Sequence, residues 1–140
     1  MISRRPRIRF AAIATIAIAG TVLLAGCADS PYAKDYAGTP PGSSVGDEFT
    51  DTPTAVWIGD GKTIALTTFG SSTCPNAPAS VSVVDATNLK IELKQQGGEV
   101  CTADIAPHTY ELPKPGGLDA TNPVAIDLGN ATTITLAPAS

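Results

Sequence analysis

The chain has 140 residues, 43% of them hydrophobic, and a formal net charge of −4, which is the size of one domain plus an appendage. All four arginines lie within the first nine residues, and beyond them five lysines face thirteen acidic residues. Phosphate and nucleic-acid recognition lean on arginine forks and a basic surface, so this composition excludes a nucleic-acid-binding protein; the acidity serves solubility.

The first element is an address. Arg4, Arg5, Arg7 and Arg9 precede an uncharged stretch from Phe10 to Gly26 rich in Ala, Ile and Leu, the layout of an export signal over residues 1–26. Its strongly apolar part falls short of the roughly 20 residues of a membrane span and ends in small residues instead of a basic stop-transfer flank. Ser3-Arg4-Arg5 hints at a twin-arginine signal, yet Pro6 and Arg7 follow where an apolar residue belongs, so the general export route is expected. Leu24-Ala25-Gly26-Cys27 resembles the lipobox of bacterial lipoproteins at every position. That resemblance implies cleavage just before Cys27, a diacylglyceryl group on its thiol, and a protein anchored on the extracytoplasmic face of the cell membrane. Two acyl chains anchor stably where one binds only marginally.

Residues 27–53 then read as a lipidated N-terminus and flexible tether. "ADSPYAKDYAGTPPGSSVGDEFTDTP" carries neither hydrophobic period and cannot bury enough apolar surface to offset its ordering entropy. A flexible chain of about 26 residues spans on the order of 30 Å, enough to lift a domain off the headgroups. Tyr32, Tyr36 and Phe49 are read as spacer aromatics.

From residue 54 to residue 140 short apolar runs alternate with turn residues, the spacing of sandwiches and barrels. Strands are expected over Ala55–Ile58 and Lys62–Phe69 around a type I′ turn at Asp60-Gly61, then over Val81–Val84, Leu89–Gln95 and Glu99–Ile105. Leu89, Ile91 and Leu93 alternate with Lys90, Glu92 and Lys94, so one face is buried and the other wet. "TYELP", bounded by Pro107 and Pro113, is confined to an edge or a strand end. A last hairpin centres on a type II′ turn at Gly129-Asn130, with Val124, Ile126 and Leu128 facing Ile134 and Leu136 inward. The fold class is all-β, a compact antiparallel β-sandwich of seven or eight strands, with a small β-barrel as the alternative. Trp57 precedes both later cysteines, which does not support immunoglobulin topology, and is read as a core or partly buried aromatic.

Once Cys27 is lipidated, Cys74 and Cys101 remain, an even number with one possible pairing in a compartment that permits disulfides. Their bridge would pin "TFGSSTCPNAP" beside "EVCTADIAPHTYELP" and gather Ser71, Ser72, Thr73, Asp104 and His108, the sole histidine. Ser72, His108 and Asp104 can be written as a nucleophile, base and orienter, and His108, Asp104 and Glu111 as a metal site. No glycine-framed nucleophile elbow surrounds the serines, so neither is expected, nor any cofactor or metal. "GSSTCP" and "CTADIAPHTYELP" resemble small secreted lipoproteins of actinobacteria, which implies the disulfide and the envelope location and no chemistry. The expected function is a non-enzymatic binding or interaction module displayed by a cell-envelope lipoprotein, with an envelope protein or glycan as partner. The alternative is a small envelope hydrolase using the Ser72/His108 region.

Overall fold

A computed structural model describes residues 29–43 and 51–140. Its strands are β1 (Lys34–Ala37), β2 (Thr54–Ile58), β3 (Thr63–Gly70), β4 (Asn76–Asp85), β5 (Asn88–Gln95), β6 (Ala106–Pro113), β7 (Val124–Asp127) and β8 (Thr133–Leu136). They form two four-stranded sheets, ordered β1-β6-β3-β2 and β4-β5-β7-β8, and among the described residues no ladder joins one sheet to the other. The molecule is a β-sandwich, and the barrel alternative falls away because the sheet edges stay open.

Period-two alternation builds the core. In β5 Leu89 and Ile91 are buried while Lys90, Glu92 and Lys94 are exposed, and in the β7–β8 ladder Val124 pairs with Leu136 and Ile126 with Ile134, all buried. These residues meet Ile64, Leu66 and Leu112 of the first sheet. Burial of each such side chain favours folding by about 1.5–3 kcal/mol. Trp57 is half-buried and packs against the same cluster.

Strand β3 is buried on both faces. Thr67 and Thr109 pair in register on the side opposite Leu66, where the Gly38 carbonyl lies. Thr109 Oγ1 donates to the Gly38 carbonyl at 2.7 Å and sits 2.9 Å from Thr67 Oγ1. Each hydroxyl has one hydrogen, so Thr67 is the donor of the pair. Two hydroxyls are thereby buried without an unmet donor.

Four local expectations about the strands are corrected. The stretch expected to be a flexible tether contributes β1, because Lys34–Ala37 adds to the edge of β6 in register with His108–Glu111. For β6 the strand-end alternative holds: the strand lies between β1 and β3, and its prolines, Pro107 and Pro113, sit near its two ends, where a missing N–H disturbs the ladder least. Glu99–Ile105 is a loop; Val100 and Ile105 are 86% and 68% exposed, so no buried face holds it in a sheet. The sandwich is not wholly antiparallel, since β5 and β7 pair in parallel. Between them the chain leaves the sheet, forms β6 in the other one and returns, which restores its direction. Finally β4 starts at Asn76, earlier than expected; Pro78 is accommodated because β4 is an edge strand with bulges.

The hairpins differ in how well local chemistry predicts them. Asp60 and Gly61 both have positive φ and the Lys62 N–H donates to the Gly59 carbonyl at 3.2 Å, as a type I′ turn requires. The last turn is shifted by one residue from expectation. The Thr132 N–H donates to the Gly129 carbonyl at 2.9 Å, so Asn130 and Ala131 are central, at φ 48° and 60°. Left-handed backbone costs an L-residue about 1–2 kcal/mol, partly offset by the lower unfolded-state entropy of alanine relative to glycine. Ala131→Gly should therefore stabilise the fold by about 0.5–1 kcal/mol, read as a rise in the midpoint of urea unfolding with unchanged slope.

Candidate functional site

The disulfide end of the sandwich collects the hydroxyl-bearing residues. Cys74 and Cys101 are bonded, their Cα atoms 5.4 Å apart across 27 residues of chain. Cys74 is buried, Cys101 exposed. The bridge joins the β3–β4 loop to the β5–β6 loop, which are also tied by the Gln96 N–H donating to the Pro75 carbonyl at 2.9 Å. Gly97 makes the close approach possible: at φ +114° its position leaves no room for a Cβ, which would overlap the Thr73 carbonyl oxygen and lie 2.9 Å from Cys74 Sγ.

Thr102 is the hub of the network across these loops. Its N–H donates to Thr73 Oγ1 at 3.0 Å, and its hydroxyl donates to Asp104 Oδ1. That hydrogen being spent, the Ser71 hydroxyl, at 2.8 Å, donates to Thr102 Oγ1, and the Ser72 hydroxyl oxygen lies 3.2 Å from the same atom. Asp104 Oδ1 also accepts the Ser72 N–H at 3.1 Å. The Ser72 side chain first, then the Thr102 hydroxyl and the Ser72 amide, hold the Asp104 carboxyl down at about 2. Beside this polar network stand the exposed Val100 and Ile105.

His108 belongs to a different cluster. Ile105-Ala106-Pro107 enters β6 and sends Asp104 and His108 to separate partners. His108 Nε2 donates to Asp35 Oδ2 of β1 at 2.8 Å. The His108 ring lies 4.9 Å from that of Tyr110, and the Tyr32 ring meets Tyr110 edge-on at 4.9 Å. Burial, with Tyr32 and Asp35 nearby, pushes the Tyr110 phenol above its ordinary value, and its oxygen has no partner among the described residues.

Ser72, Asp104 and His108 therefore do not assemble as a triad: Ser72 is bound to Thr102 and Asp104, His108 to Asp35. The possible metal trio is also split. Glu111 lies an odd number of residues from His108 in one strand, hence on the opposite face, and pairs with Lys34 at 3.5 Å. Among the described residues no group of three or more His, Cys, Asp or Glu side chains gathers. The lipidation residue Cys27, the export signal and Phe49 lie outside the described residues.

Two features of the sequence carry signals that only the fold makes plain. "KDYA" carries side chains that complement "HTYE", since Lys34 meets Glu111 and Asp35 meets His108. The tetrapeptide Asp-Ala-Thr-Asn occurs twice, at 85–88 and 119–122. In each copy the aspartate accepts from the threonine N–H, at 2.9 and 2.8 Å, and from the asparagine side chain. The copies are adjacent, the Asp119 N–H donating to the Ala86 carbonyl at 2.8 Å. Both are turn-forming Asx motifs.

Neither a protein-family model nor a curated protein nor a solved structure matches the chain.

Two outcomes test the disulfide end. Gly97→Ala should lower the thermal midpoint by several degrees, because the clash falls on backbone oxygen and on the buried sulfur. The Ser72 amide resonance, followed by NMR in an acid titration, should shift with a midpoint near pH 2, well below the ordinary aspartate value of about 3.9. The folded carboxyl being depressed, the loop contacts persist above pH 4 and are lost as pH falls through about 2.

Proposed function

We propose that this protein is a cell-envelope lipoprotein, held to the extracytoplasmic face of the membrane through acyl chains on Cys27, that displays a disulfide-bridged β-sandwich as a non-enzymatic binding module. The observation that carries the reading is the order of parts: an arginine-led apolar leader, the lipobox Leu24-Ala25-Gly26-Cys27, and then a small domain closed by Cys74–Cys101. Disulfides persist outside the reducing cytosol, which agrees with export. The surface best suited to a partner is the disulfide end, where exposed Val100 and Ile105 border the hydroxyls of Ser71, Ser72 and Thr102. Loops fixed on a rigid scaffold are the usual place for recognition. A hydrolase built on Ser72 is the weaker reading, since its hydroxyl faces Thr102 and the only histidine is engaged by Asp35.

Cys27→Ala tests the anchor. The wild-type chain should fractionate with membranes and show the mass of a cleaved, diacylated N-terminus, whereas the variant should lose that mass increment and its membrane retention. An intact-mass spectrum of the wild type with a free thiol at position 27 or an uncut leader would overturn the reading. Crosslinked pull-downs from intact cells then separate anchoring from binding, because a partner recognised by the sandwich should be captured more weakly by the unanchored variant.

A further inference from the structure

The lipid anchor and the sandwich are separated by far less chain than composition suggests. Tyr32 already packs on Tyr110, and its hydroxyl accepts from Gln96 Nε2 at 3.3 Å. The Ala33 N–H donates to the Glu111 carbonyl at 2.8 Å, and the Gly38 N–H to the Pro107 carbonyl at 2.9 Å, so both ends of β1 are tied to β6. Side-chain pairs brace both faces of the strand: the Lys34–Glu111 ion pair on one, the His108–Asp35 hydrogen bond on the other. Only five residue steps separate Cys27 from Tyr32, a reach of at most about 18 Å even when fully extended.

From this geometry we infer that the β1 edge of the sandwich rests at the phospholipid headgroup surface, so that the bilayer is a contacting partner of the domain and not only the site of its anchor. The inference rests on the reading of Cys27 as the lipidated N-terminus. A free tether of about 26 residues would let the domain drift on the order of 30 Å away; docking β1 removes that freedom and leaves a leash of only five residue steps. The sandwich can then turn only about its β1 edge, where the Lys34 side chain is 64% exposed, and the opposite edge of the same sheet, β2, faces away from the lipid.

The test uses the full mature protein purified with its lipid and placed in vesicles of phosphatidylethanolamine and phosphatidylglycerol carrying a dansyl-labelled lipid. Trp57 is the only tryptophan and serves as energy donor. A second protein carries a flexible Gly-Ser insert of about 20 residues between Ala28 and Asp29, which adds on the order of 25 Å of reach. Transfer from Trp57 should be several-fold stronger in the wild type than in the inserted variant. Equal transfer from the two proteins, with diacylation of both confirmed by mass, would overturn the leash while leaving the anchor intact. Absence of the lipid from the wild-type mass would overturn the anchor and this inference with it.

Discussion

The β6 ladder is the constraint from which the rest of the architecture follows. Along all eight of its residues β6 pairs with β3, and along four of them it also pairs with β1. A strand hydrogen-bonded on both sides must keep its prolines to its ends, as Pro107 and Pro113 do. Its insertion into the first sheet also forces the excursion between β5 and β7 that makes them parallel. Removing β6 would leave β1 without a partner.

Two kinds of tie then act on the loops and edges. At one end of the sandwich a covalent bond joins Cys74 to Cys101, and around it a chain of hydroxyls ends on the Asp104 carboxylate. Closure of a 27-residue loop restricts the unfolded chain, a stabilisation of about 3.5 kcal/mol on the chain-entropy estimate. At the β1 edge the ties are weaker and reversible, consisting of backbone hydrogen bonds, an imidazole-carboxylate pair and a lysine-glutamate pair that is partly open to solvent. Exposed ion pairs contribute about 0–1 kcal/mol each, so the aromatic packing of Tyr32 on Tyr110 and the ladder itself carry most of the attachment. A permanent clamp thus shapes the surface proposed for recognition, and a softer one sets the distance to the proposed anchor.

The separation of Ser72, Asp104 and His108 illustrates how a constellation legible on paper dissolves in three dimensions. Asp104 stays with the loop because its carboxylate is the natural acceptor for the Ser72 amide and the Thr102 hydroxyl. His108, four residues on, is already inside β6, and its partner comes from a segment 73 residues away. Nearness in sequence decided the expected grouping, whereas the strand ladder decided the actual one.

Local chemistry alone was enough for the features whose cause is local. The alternation in β5 and β7, the Asp60-Gly61 turn and the all-β character follow from side-chain periodicity and from which residues tolerate positive φ; the pairing of Cys74 with Cys101 needed only a count of the thiols left after Cys27 is set aside. Tertiary structure decided the rest, because the cause lay elsewhere in the chain. "KDYA" is too short and too polar to declare itself a strand, and becomes one only where β6 offers an open edge with Glu111 and His108 in register. "GEVCTADI" has strand-like residues but finds no edge to join, so its backbone is held by a sulfur bridge and hydroxyl contacts instead. Propensity reports what a segment can do by itself, and the free edges of a sheet determine which segments are given the chance.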